Sequence, residues 1–177
     1  MLQTLVLFRD LPSPEWLLAR QETGLFRAAA TFTSGPYDAF GIVSKPALHH
    51  TIREDVRLKS PRGWNAEFDV WGLIPPLPPI PVLAHFPELD GICFALVETK
   101  PGAAATFTGL LPELTADMQV AAARWFGPTS HQLVLEFVAE STEAVLDNVA
   151  RVLDHELVVA IETMHTTGSL TQGFGTD

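Results

Sequence analysis

Apolar positions recur along this chain in two rhythms, one of period two and one near 3.6, and their order is the same before and after a proline-rich stretch. In the second half, Ile92 to Val97 is an apolar run of strand length, and Ala103 to Leu114 is an Ala/Leu-rich helix that Pro112 is expected to break. Met118 to Phe126 is a second strand. Gly127-Pro128-Thr129-Ser130 carries turn chemistry, and His131 to Val138 alternates as a third strand with Leu133, Leu135 and Phe137 on one face. Ser141 or Thr142 can cap a helix whose apolar residues, Val145, Leu146, Val149, Val152 and Leu153, form one stripe. Leu157 to Met164 completes a β-α-β-β-α-β order.

The first half repeats that order. Thr4 to Phe8 reads as a strand, and Ser13-Pro14 opens a helix through Arg20, proline being suited to the first helical position. Leu25 to Phe32 and Ala39 to Ser44 are strands around Ser34-Gly35-Pro36-Tyr37. Pro46 starts a helix with Leu48, Ile52 and Val56 at four-residue spacing. Trp64 to Ile74 is the last strand, with Ala66, Phe68 and Val70 on one face and Glu67, Asp69 and Trp71 on the other. Two stretches match in letters as well: Arg27-Ala28-Ala29-Ala30 with Val120-Ala121-Ala122-Ala123, and Gly35-Pro36 with Gly127-Pro128. Duplication accounts for both the order and the letters.

Between the halves lies Pro75-Pro76-Leu77-Pro78-Pro79-Ile80-Pro81, which can join neither a helix nor an inner strand and favours an extended connector. The predicted organisation is a repeat over 1–75, a linker over 76–90, a second repeat over 91–168 and a flexible tail over 169–177. Each repeat would form a four-stranded antiparallel sheet with both helices on one side. The bare face of each, read as the one carrying Phe68 and Val70 or Leu133 and Leu135, would be covered by the other. The expected fold is α+β: tandem ferredoxin-like units packed sheet to sheet as an intramolecular dimeric α/β barrel.

Composition narrows the function. The chain has 177 residues, 47% of them apolar, which is enough for a sizeable core. A net charge of −10 argues against direct nucleic-acid binding, because phosphates call for a basic patch. The main basic cluster, Arg53, Arg57, Lys59 and Arg62, is diluted by Glu54 and Asp55 and reads as a solvated helix face. The single cysteine, Cys93, sits between Ile92 and Phe94 as a buried thiol. No run approaches the 18 apolar residues of a membrane span, and the start lacks signal-peptide character. A cytoplasmic protein is expected.

The stretch Ser34-Gly35-Pro36-Tyr37-Asp38, followed by a strand, a helix and the strand to Ile74, resembles the effector-binding domain of Lrp/AsnC-type regulators. Gly35, Tyr37 and Asp38 match that family's Gly-Asp-Tyr-Asp turn, with Pro36 in place of its first Asp. Glu162-Thr163 matches its last strand, whereas Gly127 to His131 has lost the turn's Tyr and Asp. The resemblance implies a module that binds a small molecule such as an amino acid through Gly35, Tyr37, Asp38, Glu162 and Thr163. It implies pairing through sheets and homo-oligomers of pseudo-dimers. No helix-turn-helix fits before the first strand, so any DNA contact would fall to a separate partner.

The histidines His49, His50, His85, His131, His155 and His165 lack the spacing of a metal site, and no phosphate loop or nucleophile motif is present. Neither a metal nor a cofactor is expected. The rival reading is an enzyme of the dimeric α/β-barrel kind, similar to monooxygenases or polyketide cyclases, that holds a flat aromatic substrate in an apolar barrel. In that case His165, His131 and Trp71 are the candidate catalytic residues.

Overall fold

The computed structural model describes residues 4–43, 49–58, 67–73, 91–114, 119–125, 131, 133–139 and 141–166. The first half contains β1 (Thr4–Phe8), α1 (Pro14–Glu22), β2 (Phe26–Thr31), β3 (Ala39–Val43), α2 (His49–Leu58) and β4 (Phe68–Leu73). The second contains β5 (Gly91–Thr99), α3 (Ala104–Leu114), β6 (Gln119–Trp125), β7 (Leu133–Ala139), α4 (Thr142–Leu153) and β8 (Val158–Thr166). Local chemistry sets the helix starts. The Ser13 hydroxyl accepts from the Trp16 amide at 3.2 Å with Pro14 opening α1, and Ser141 accepts from the Ala144 amide at 3.2 Å. Pro112 does not end α3 but lies inside its last turn, at the cost of the one hydrogen bond that a backbone N–H there would give the Thr108 carbonyl.

Among the described residues the strands pair antiparallel, in the order β2-β3-β1-β4-β6-β7-β5-β8. Read in fours, each half shows the same arrangement: the first strand lies between the third and the fourth, and the second strand is outermost beside the third. Among the described residues this is an α+β, ferredoxin-like architecture with four helices. The halves join where β4 runs against β6, with Trp71 opposite Trp125 and Leu73 opposite Ala123. They also meet at an isolated bridge between Ser34 and His165, beside which the Thr33 amide and hydroxyl donate to the His165 carbonyl.

Three apolar clusters follow from alternation along the strands. Val6, Phe8, Phe26, Phe68 and Val70 pack with Trp16 and Leu17 of α1 and Ile52 and Val56 of α2. Cys93, Ala95, Val97, Leu133, Leu135 and Phe137 pack with Phe107 and Leu111 of α3 and with Val145, Val149 and Val152 of α4. The third cluster draws on both halves: Leu5, Leu7, Tyr37, Phe40, Ile42 and Trp71 with Phe94, Leu96, Val134 and Met164. The expected faces are therefore exchanged. Phe68, Val70, Leu133 and Leu135 meet helices, and the face shared between halves is the one that carries Asp69 and Trp71. A period of two separates the faces of a strand without saying which one a helix will cover.

Gly35 shows how tightly the halves meet. Its φ is +107°, and a Cβ there would stand 2.6 Å from both the Met164 Cγ and the Thr163 carbonyl oxygen. Only glycine combines that backbone with that approach. The proline stretch, Trp64, His85 and the tail after 168 lie outside the described residues.

Candidate functional site

One end of the shared cluster is polar. The alternation that points Leu5 and Leu7 inward places Arg9 on the same side, just beyond the end of β1, and Asp69 lies opposite Leu7 across the β1–β4 ladder. Tyr37, in the turn before β3, is 3% exposed. Its phenol donates to Asp69 Oδ2 at 2.5 Å and accepts from Arg9 Nη2 at 2.9 Å. Arg9 Nη2 also reaches Asp69 Oδ2 at 3.3 Å, and its guanidinium lies 4.6 Å from the centre of the Tyr37 ring. Burial, followed by the bond to Asp69, raises the Tyr37 pKa well above that of a free phenol, so the phenol stays protonated. The Arg9 side chain is 43% exposed and supplies the outward-facing charge.

Beside this set lies Phe32, partly exposed and packed on the shared cluster. Its ring centre is 5.5 Å from Phe40 and 5.6 Å from Phe94, and Phe40 and Phe94 are 4.7 Å apart. Phe40 and Phe94 are buried, so of the three rings Phe32 alone offers a partly exposed face, on which a flat molecule can stack.

The second half has a counterpart. Leu7 pairs with Phe40 and Asp69, as Leu96 pairs with Val134 and Glu162. Counting three residues back from Phe40 reaches Tyr37, and three back from Val134 reaches His131. His131 Nε2 lies 3.8 Å from Glu162 Oε1. The same count places Glu98 where the first half has Arg9, so this end pairs an imidazole with a carboxylate and carries no arginine at that position.

The predicted ligand set is partly drawn together. Gly35 abuts Thr163, but through the close backbone approach described above. Tyr37 is committed to Asp69 and Arg9. Asp38 Oδ2 accepts from the Leu11 amide at 3.2 Å, and its own amide donates to the Phe8 carbonyl, so it ties the loop after β1. Glu162 faces His131. The three residues named for an enzyme do not converge: Trp71 belongs to the shared face, whereas His165 lies on the opposite face, its Nε2 3.9 Å from Cys93 Sγ. Cys93 is buried, and burial pushes its thiol up to about 12, against a smaller lowering by a backbone hydrogen bond at Met164. His155 Nδ1 accepts from the Leu157 amide at 3.2 Å, and its ring packs edge-on against Phe107. Of the basic cluster, Arg53 lies over the Phe68 ring at 5.3 Å; Lys59 and Arg62 lie outside the described residues.

Sequence reading passed over Arg9 and Asp69 as site residues. Each left a signal: a charge just past an apolar strand, and a carboxylate flanked by large apolar residues (Phe68-Asp69-Val70). Among the described residues, no group of three or more His, Cys, Asp or Glu could hold a metal ion, and no helix is long and apolar enough to cross a membrane.

No protein-family model matches the chain, and no curated protein matches it. Solved structures do. A heme-binding protein from Thermus thermophilus is 12% identical with a TM-score of 0.51, over 92% of this chain and 90% of that one. A mutant chlorite dismutase from Candidatus Nitrospira defluvii is 10% identical with a TM-score of 0.55, over 94% and 90%. A chain named as a candidate chlorite dismutase is 8% identical with a TM-score of 0.51, over 92% and 93%. These matches span nearly the whole of both chains, so the likeness is in the complete fold. They correct the expected Lrp/AsnC membership: the turn that suggested it, Gly35 to Asp38, is used here for packing and loop anchoring, and a short turn motif carries little information about ancestry. The partner set expected with that resemblance, a small effector molecule and copies of the same chain without nucleic acid or membrane, falls with it: one neighbour is named for binding heme, with which a small-molecule ligand is compatible. The chain has the fold of the chlorite dismutase-like structures.

Proposed function

We propose that this chain is an intramolecular dimeric α/β barrel that binds and acts on a flat aromatic or polyketide-like molecule at the Arg9 end of its shared interior. Repeats over 1–75 and 91–168, the linker 76–90 and the tail 169–177 form part of this reading, as does a cytoplasmic setting. The matching strand order of the halves and the cluster they share support the barrel. The Arg9–Tyr37–Asp69 set supports the site. In it Asp69 orients the phenol, the phenol oxygen and Asp69 hold Arg9, and Arg9 offers its exposed N–H groups to a carboxylate or carbonyl oxygen. Phe32 supplies a face on which a ring can stack.

Heme fits the described residues poorly. A heme needs an axial donor aimed into an apolar slot. His165 lies beside Cys93 on the helix-covered face, His131 turns its Nε2 toward Glu162 at the polar end, and His155 Nδ1 accepts from the Leu157 amide, which leaves the ring proton on Nε2. The Cys93 thiol is held protonated. No step is routed through heme.

The test is titration of the protein with 2-naphthoate, followed by fluorescence and thermal shift. Saturable binding that weakens at least tenfold in Arg9→Ala is expected. Absence of saturable binding in the unmodified protein overturns the reading.

A further inference from the structure

The polar ends of the two halves open on the same rim of the molecule. Four antiparallel pairings lead from β1 to β5, through β4, β6 and β7, so β1 and β5 run in the same direction. Arg9, just past β1, and Glu98, near the end of β5, therefore lie at corresponding ends. Both ends also belong to the face shared by the halves: Asp69 lies opposite Leu7 and Glu162 opposite Leu96, and both leucines are in the shared cluster. The turn before β3 brings the two sets together. Thr33 is bonded to the His165 carbonyl, and a Cβ on Gly35 would stand 2.6 Å from the Thr163 carbonyl oxygen. Tyr37 lies two residues beyond Gly35, and Glu162 adjoins Thr163.

The two sets carry opposite charge. In the first, Asp69 is engaged by both Tyr37 and Arg9, and the Arg9 guanidinium is the group that reaches solvent. In the second, Glu162 is half-exposed, and Glu98 lies on the same face one diagonal step away. His131 Nε2 approaches Glu162 Oε1 only to 3.8 Å, so the carboxylate keeps lone pairs for a further donor. Had the second half kept an arginine at the Glu98 position, the rim would offer like charges. The exchange of Arg9 for Glu98 and of Tyr37 for His131 makes it dipolar.

We infer that Arg9 and Glu162 are the two poles of one ligand site at this rim, and that the ligand is a flat molecule with an acid group at one end and an ammonium group at the other. This rests on the reading above and supplies the ligand's second end. Arg9 takes the carboxylate, Phe32 stacks on the ring, and Glu162 accepts from the ammonium group, with Glu98 adding negative potential on the same face. Arg9, Phe32 and Glu162 are all reached from solvent, so the ligand lies across the rim and the packed interior stays closed.

The experiment compares 6-(aminomethyl)-2-naphthoate with 2-naphthoate on the full chain, Glu162→Gln and Glu162→Asp, by fluorescence titration at neutral pH. The full chain is expected to bind the aminomethyl probe about fivefold more tightly, the gain that a partly exposed ion pair gives. Glu162→Gln should bind both probes alike, with affinity for 2-naphthoate no weaker than the parent's. Glu162→Asp, which keeps the charge, should retain part of the preference. On the parent itself, high salt should remove most of the preference, because the pair it reports is exposed. Equal binding of the two probes by the parent, a preference that survives high salt, or one preserved in Glu162→Gln overturns the inference while leaving the Arg9 reading in place. Failure of 2-naphthoate to bind the parent overturns both.

Discussion

The two halves share a topology but end differently. At the first, Tyr37, Asp69 and Arg9 interlock around a buried phenol; at the second, His131 and Glu162 approach at 3.8 Å with Glu162 half-exposed, its side chain 52% accessible. The register that aligns them is the same, so the difference comes from side-chain choice at a few positions. A phenol sunk among apolar residues must keep an acceptor, and Asp69 supplies it. A half-exposed glutamate beside an imidazole can turn to water instead. One end is thus organised by desolvation, and the other is close to a surface pair.

The sharpest way to break the comparison is at the seam between the halves. Gly35→Ala should destabilise the protein by about 3 kcal/mol or more, because a new Cβ meets backbone of β8 at a left-handed φ. Gly24→Ala, also at positive φ but with nothing within 4 Å, should cost only about 1 kcal/mol. Urea titration of both variants checks the contrast.

Next come the two polar ends. Asp69→Ala leaves the Tyr37 hydroxyl without its acceptor and should cost about 2 kcal/mol. Glu162→Ala should cost under about 1 kcal/mol, because an exposed pair contributes little. Equal losses would show that the two ends are organised alike.

Alkaline pH should reveal a further difference. The folded pKa of Cys93 is raised from 9.0 to about 12, so the folded state holds its proton where the unfolded chain has lost it. Stability from this group is complete below pH 9 and is lost as pH rises toward 12, with a slope of at most about 1.4 kcal/mol per pH unit. Tyr37, also raised, adds loss of the same sign above its ordinary value of 10. Denaturant titrations between pH 8 and 11 should show a shallower decline in Cys93→Ala and, at the upper end, in Tyr37→Phe. The smallest effect concerns reactivity. A disulfide reagent at pH 8 should leave Cys93 unmodified in the folded protein and label it in 6 M guanidinium; labelling at equal rates would mean that the second-half cluster is open.

Much of the chain was readable before any fold was seen. Twelve elements in the order β-α-β-β-α-β, taken twice, are what period-two and period-3.6 runs describe, and Ser13 and Ser141 marked two helix starts because a hydroxyl before a helix satisfies an amide that has no other partner. Those are local facts, carried by neighbours within a few residues. The choice of strand face was decided elsewhere. Phe68 and Val70 are no more apolar than Leu5 and Trp71, and only the packing of α1 and α2 on one side left the other for the second half. The meeting of Arg9, Tyr37 and Asp69, which are 28 and 32 residues apart in succession, depends on register between three strands. Spacing along a chain records what one element buries; which elements face each other is settled by long-range burial, where many sequence separations serve equally well.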